Sequence, residues 1–195
     1  GTLLQHELGA ESQARKVFEE ALALDADNAA AQVGLARIAF RAQDHAAALP
    51  LLDRISPDDW GDEIELLYAR ATTAQALQTD DVEGRLRAVL RVAPKHVGAL
   101  ERLAAWAKDH GDSSVAEFAL ESLCSALDER ENPTKLAFAL VDLSAARRVQ
   151  QQVDAAVVSI EQAHQLEPTS KRVLREMVEV RRLQKQPALL LTALK

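Results

Sequence analysis

Aromatic residues are scarce, at 4% of the 195 positions, so rings cannot fill a core here. Hydrophobic residues still make up 48%, which leaves Ala and Leu to do most of the packing. Seven Gly and six Pro are too few for a turn-rich all-β protein. A chain rich in Ala, Leu, Glu and Arg favours helices throughout. The single Cys124 cannot form an intramolecular disulfide, so cysteine usage does not identify the compartment. No apolar run approaches the ~18–20 residues a membrane helix needs, and no secretory leader is visible. The chain begins at Gly1 rather than Met, which reads as a piece of something longer. Cytoplasm and bacterial periplasm therefore both stay open. A basic surplus is missing as well: 23 Lys and Arg stand against 30 Asp and Glu, a net charge of −7. That argues against non-specific nucleic-acid binding, which needs a basic surface, while allowing a local basic patch.

Signatures of catalysis are absent too. There is no G-x-S-x-G, no G-x-x-x-x-G-K-[ST], no G-x-G-x-x-G and no H-E-x-x-H. His96 and His110 fall at expected turns, and His164 falls at a helix-contact position that reads as packed. Cys124 follows a core position and reads as a small buried hydrophobe, with no local cation or helix N-terminus to make it reactive. The pairs Asp58-Asp59 and Asp80-Asp81 sit where loops or helix starts are expected, and there they cap and offset the helix dipole. Trp106 reads as core, and Trp60, in "SPDDWGD", as packing over a joint between units. No catalytic residue, cofactor or metal ligand is expected.

What the chain does contain is a repeat. In "ARKVFEEALALDADN" (14–28), Ala14, Phe18 and Ala21 share one helical face. Thirty-four residues on stand Ala48, Leu52 and Ile55, then Val82, Leu86 and Val89, then Ala116, Leu120 and Leu123. The fifth match, Ala156, Ile160 and Ala163, comes later than this period places it, so the last full unit is lengthened. Upstream runs such as Leu35-Ala36, Leu103-Ala104 and Leu143-Ser144 supply a second helix per unit. His110-Gly111-Asp112 reads as a C-cap Gly followed by an N-cap Asp. Asp62 with Glu65 has capping-box spacing, and Asn132-Pro133 places an N-cap before a Pro at the first helical position. Pro50 is expected near the first turn of its helix, where a missing N–H costs little. Gln186-Pro187 is expected to stop one helix and start the last, "PALLLTALK".

This pattern resembles the tetratricopeptide repeat (TPR) family, whose unit of about 34 residues is a pair of helices. Residues 34–55, 99–123 and 139–168 fit best, with Pro94 and Pro168 at the family's closing Pro. The third unit is weaker, because Arg70 stands where a small residue is expected; a one-residue shift would put Ala71 there. The expected fold is all-α, a right-handed α-solenoid of antiparallel helix pairs with about five to six units. One domain spans 1–195, with units at about 1–28, 29–62, 63–96, 97–131, 132–170 and 171–195, the first and last partial. Neither end reads as the polar cap that solenoids need. Either neighbouring residues continue the stack, which is favoured, or these ends serve self-association.

The resemblance implies a concave groove lined by the first helix of each unit. Carried over by register, its residues are His6, Glu7, Val33, Arg37, Phe40, Arg41, Ile64, Leu67, Gln75, Glu101, Lys108, Asp109, Phe138, Val141, Arg148, Arg172, Arg175, Glu179 and Arg182. The cations outnumber the carboxylates seven to four in this set, so an acidic or carboxylate-bearing partner is expected. Val33, Phe40, Leu67 and Phe138 would be apolar anchors. The Lys and Asn that mark chaperone-tail clamps in the family have no counterpart, so that specificity is not assigned. The implied function is a protein–protein interaction scaffold for a partner protein or peptide, without catalysis, nucleic-acid binding or membrane insertion. The alternative is a regulatory or scaffolding arm of a larger bacterial enzyme or exopolysaccharide-secretion machine.

Overall fold

The computed structural model describes the backbone of residues 2–55 and 63–193 and the side chains of residues 10–55 and 64–184. These contain helices and no strand, as the composition predicts. The helices are α1 (Thr2–Leu24), α2 (Ala29–Arg41), α3 (His45–Arg54), α4 (Glu63–Ala76), α5 (Val82–Val92), α6 (Val97–Asp109), α7 (Ser113–Ala126), α8 (Pro133–Val149), α9 (Val153–Leu166) and α10 (Lys171–Ala193). The chain divides into two compact units, Gly1–Val92 and Ala93–Lys195. Within each unit successive helices pack on one another, and α10 also reaches back to α8. The architecture is a helical-repeat solenoid. The expected Asp62 cap, Asp58-Asp59 and Trp60 lie outside the described residues.

Four turns carry the repeat in their hydrogen bonds. After α2, Gln43 N–H donates to the Phe40 carbonyl and Asp44 N–H to the Ala39 carbonyl, at 3.0 and 2.9 Å. The same two bonds recur after α4 at Gln78 and Thr79, after α6 at Gly111 and Asp112, and after α8 at Gln151 and Gln152. This is the Schellman closure, which places one residue in the left-handed region. Those residues are Gln43 (φ 57°), Gln78 (φ 53°), Gly111 (φ 72°) and Gln151 (φ 62°). Only one of the four is a glycine, so three turns hold a side chain where the backbone disfavours one. Asp44 and Asp112 then cap the following helices: each Oδ1 accepts the N–H three residues on, at 3.1 and 3.0 Å. Asn132 takes the N-cap position with Pro133 after it, but its side chain makes no capping bond.

The sequence period locates the core. Every match to the Ala14 template from α3 onward is buried: Ala48, Leu52 and Ile55; Val82, Leu86 and Val89; Ala116, Leu120 and Leu123; Ala156, Ile160 and Ala163. The first unit centres on Ala36, Leu52 and Leu66, the second on Leu140, Ile160 and Val173. Cys124 packs beside the second cluster, and burial pushes its thiol up to about 11. Gly34 on α2 is required by close approach, since a Cβ there would lie 2.3 Å from the ring of Phe18 on α1.

Three expectations fail for identifiable reasons. The first unit was expected to turn between two helices, yet α1 is continuous from Thr2 to Leu24. Gly9 stands in register with Gln43, but Ala10 replaces the capping Asp44, so nothing starts a second helix there. Helix α10 likewise runs through Gln186-Pro187 to Ala193. A proline removes one hydrogen bond, and strong helix formers on both sides carry the helix across. Pro50 lies at the sixth position of α3, past the first turn. Ala46, whose carbonyl loses its partner, is exposed and open to hydration.

Two polar junctions tie the repeats together. In the first unit Asp53 on α3 accepts from Arg70 on α4 at 2.6 Å and from Arg85 on α5 at 2.6 and 3.3 Å. Burial alone would raise the Asp53 carboxyl, but the hydrogen bonds from Arg85 and Arg70 outweigh it and hold the group below its ordinary range. In the second unit Arg147 on α8 donates to Glu117 at 3.1 Å and to Glu121, both on α7. It also donates to Ser159 Oγ on α9 at 2.8 Å. Gln150 and Gln152 complete the shell by donating to Glu117 at 2.8 and 3.1 Å.

Candidate functional site

In the second unit α6, α7 and α8 enclose a cleft of about 660 Å³. Its floor is made of small residues: Ala104, Ala105 and Ala107 from α6, and Ala139, Ala145 and Ala146 from α8. Alanine appears there because helix packing at close distance leaves no room for larger side chains, and the same smallness leaves a recess. Val149 and Phe138 form apolar walls.

The rim is charged and internally paired. Lys135 on α8 meets Glu101 on α6 at 2.8 Å, and Arg172 on α10 meets Asp142 on α8 at 2.6 Å. The Arg172 guanidinium also lies 4.9 Å from the centre of the Phe138 ring, which fixes that wall. Lys108 is exposed at the edge and makes no ion pair among the described residues. Across the opening Asp112 is occupied in capping α7. The cleft thus offers an apolar floor, one unengaged ammonium group and a rim of ion pairs. Among the described residues no group of three metal-ligating side chains comes together.

The expected groove residues divide into three groups. Lys108, Phe138 and Arg172 converge on this cleft. On α2, Val33 and Phe40 pack against the first unit's core, Arg37 pairs with Glu65 at 3.4 Å, and Arg41 is exposed. Arg148, Arg175 and Arg182 do not line the cleft. Arg148 is held by Glu176 in a two-point bond at 2.8 and 3.3 Å, which pushes its pKa up. Arg175 is exposed, and Arg182 pairs with Glu179 at 2.9 Å on its own helix. His6 and Glu7 lie outside the described side chains.

Val141 on α8, expected on the groove surface, is buried in the second unit's core, and Leu67 requires the same correction, at 8% exposure. For Leu67 the cause is a one-residue offset in α4. Gln78 comes one position later than the period from Gln43 places it, so Ala71 takes the small buried position and Arg70 turns out to Asp53. Glu65 then faces α2, where Arg37 meets it. The sequence reading missed the alanine floor. Its signal was present, because Ala104-Ala105 and Ser144-Ala145 fall in register once the lengthened fifth unit is allowed for.

Comparison with known proteins agrees with this architecture. Residues 6–72 match the family model described as Tetratricopeptide repeat. No curated protein matches the sequence. Among solved structures the fold is similar to that of YrrB, described as a TPR protein with an unusual peptide-binding site. The TM-score is 0.64 at 14% identity, over 88% of this chain and 86% of that one. It is also similar to the MamA protein, with a TM-score of 0.64 at 16% identity over 84% of this chain and 86% of that one. The sequence period and the recurring turn closures agree with the tetratricopeptide repeat match over residues 6–72, roughly a third of the chain, and with the fold of these neighbours.

Proposed function

We propose that the chain is a non-catalytic interaction scaffold and that the alanine-floored cleft of the second unit seats a segment of a partner protein. The observation that carries this reading is the cleft itself: an apolar recess of about 660 Å³ whose rim charges are already held in place. A bulky apolar side chain of the ligand fills the recess and displaces its water, which is the principal favourable term. Lys108 offers one ammonium group to a ligand carboxylate. Because Lys135 and Arg172 are paired with carboxylates, the cleft selects an apolar residue flanked by one acid rather than a strongly acidic tract. The peptide-binding description of YrrB is consistent with this use of the fold. Arg37, Phe40 and Arg41 form a second contact on α2, of which Arg41 is the least engaged.

Peptides selected from a random display library against the intact chain test the reading. Ala105 is exposed at the floor, so Ala105→Trp fills the recess without touching the core. Affinity by fluorescence anisotropy is expected to fall at least about tenfold, the equivalent of ~1.4 kcal/mol. Unchanged binding by both Ala105→Trp and Lys108→Glu would remove the cleft from the argument.

A further inference from the structure

The hydrogen-bonding capacity of the cleft decides what conformation its occupant can take. Apart from the charged residues and Gly111, the described lining is Ala, Leu, Val and Phe, with Ser113 the one other polar side chain. The carboxylates are held: Glu101 by Lys135, Asp142 by Arg172, and Asp112 by the Ser114 and Val115 N–H groups that it caps. The backbone is committed as well. The interiors of α6 and α8 bond within their own helices. At the turn between α6 and α7 the Lys108 and Ala107 carbonyls accept from the Gly111 and Asp112 N–H groups, at 3.2 and 2.8 Å. The Ser113 carbonyl accepts from Gln150 Nε2 at 3.1 Å. The Lys108 ammonium and the Ser113 hydroxyl flank that turn, at one end of the cleft. The alanine floor carries no polar side chain, so a backbone laid on it meets no hydrogen-bond partner there.

The cleft is also short. Glu101 and Lys108 mark its ends on α6, seven residues apart, or about 10 Å at the α-helical rise. At the Glu101 end the ion pair with Lys135 joins α6 to α8. An extended segment covers that length with about three residues. Their N–H and C=O groups would leave water and meet alanine methyls, which is costly. A helix arrives with its backbone already paired, and about 10 Å is two of its turns. The small side chains of the floor let a helix axis come close, so its bulky residues can reach into the recess between α6 and α8.

We propose that the occupant is an amphipathic α-helix of a partner protein, with its apolar anchor over Ala105 and an acid one turn away at Lys108. The assignment rests on the cleft being a binding site, as proposed above, and adds the conformation and spacing of what binds. Ala105 and Lys108 are three residues apart on α6 and share a face. Anchor and acid are therefore three or four residues apart on the ligand helix. Lys108 lies in the last turn of α6 and makes no ion pair among the described residues, so its charge is open to that acid.

Two peptide display libraries are the probe. One randomises a single face of a helix of about 16 residues rich in Ala, Glu and Lys, long enough to be helical alone. The other randomises a segment of about eight residues with proline at alternate positions, which holds it extended. Both are selected against the intact chain, and affinities are measured by fluorescence anisotropy on wild type, Ala105→Trp and Lys108→Glu. The helical library is expected to give the tighter binders, each weakened at least about tenfold by Ala105→Trp and by a proline placed mid-helix in the peptide. Exchanging the peptide's acid for Lys should weaken binding to wild type at least about threefold, and Lys108→Glu should restore it. Extended binders that match the helical ones and are lost on Ala105→Trp overturn the helical assignment and leave the cleft reading intact. Indifference to the charge exchange overturns the placement of the acid. Binders of either kind that ignore both substitutions remove the cleft, and this assignment with it. Libraries that yield no binder also overturn it.

Discussion

The two units solve one packing problem with opposite polarity. In the first, the joint between successive repeats centres on an acid: Asp53 receives two arginines, from the two helices that follow it. In the second, the joint centres on a base: Arg147 donates to two carboxylates on the helix before it and to Ser159 on the helix after it. Asp53 and Glu121 occupy the same register position, two periods apart, so the second-helix acid is common to both. The difference is which group sits at the centre. A guanidinium has five donors in a fixed fork and engages both neighbouring helices at once. A carboxylate can only accept, and both partners of Asp53 come from the helices that follow it. The second unit accordingly has the larger network, with Gln150 and Gln152 recruited to Glu117.

The comparison can be broken most forcefully in the apolar layers. Leu86→Ala in the first unit and Leu103→Ala in the second both remove side chains that are fully buried. Each is expected to cost about 3 kcal/mol. Hydrogen exchange should show protection falling first in the unit that carries the substitution. Equal loss in both units would mean that they open as one. Arg147→Ala comes next. It removes the cation from Glu117, at 17% side-chain exposure, leaving Gln150 and Gln152 as its donors, and is expected to cost about 1–2 kcal/mol in denaturant unfolding. Asp53→Ala, at a more exposed joint, should cost about 1 kcal/mol or less.

The acid limb sharpens the contrast. Because the folded Asp53 carboxyl is held below its ordinary value of 3.8, its contribution is complete above that value. It is lost as pH falls through the lower, folded value. Asp53→Asn should flatten the loss of stability below about pH 4, measured by urea titration at stepped pH. The smallest effect concerns the turns. Gln43→Gly and Gln151→Gly relieve the left-handed side chain and should each stabilise by about 0.5–1 kcal/mol. The reverse change, Gly111→Gln, should destabilise by about 1 kcal/mol, with all three variants compared by denaturant unfolding.

The period, the helix content and the core were legible because burial at i, i+4 and i+7 leaves a trace in residue size. Ala48, Leu52 and Ile55 are assignable to the core from residue size and spacing alone. Gly111 and Asp112 announced their turn, because each residue type suits its backbone role. The three glutamine turns did not, since glutamine signals nothing about a left-handed backbone. Leu67 was misplaced because a one-residue offset turns α4 by about 100°, which hydrophobicity alone does not register. The uncut α1 and α10 show the weight of the missing cap and the tolerance of helices for a single proline. Four of the seven expected groove cations, Arg37, Arg148, Arg172 and Arg182, pair with carboxylates, because register says where an arginine points but not whether a carboxylate meets it.

The alanines at the cleft floor have one more consequence. An alanine has no rotamers, so this surface surrenders almost no side-chain freedom when something settles on it. The ordering cost of an encounter then falls on the visitor, and rigid visitors gain most. Replacing one floor methyl by a larger group would recut the shape of the recess while leaving the helices where they are, so preference for one guest over another is adjustable a single residue at a time.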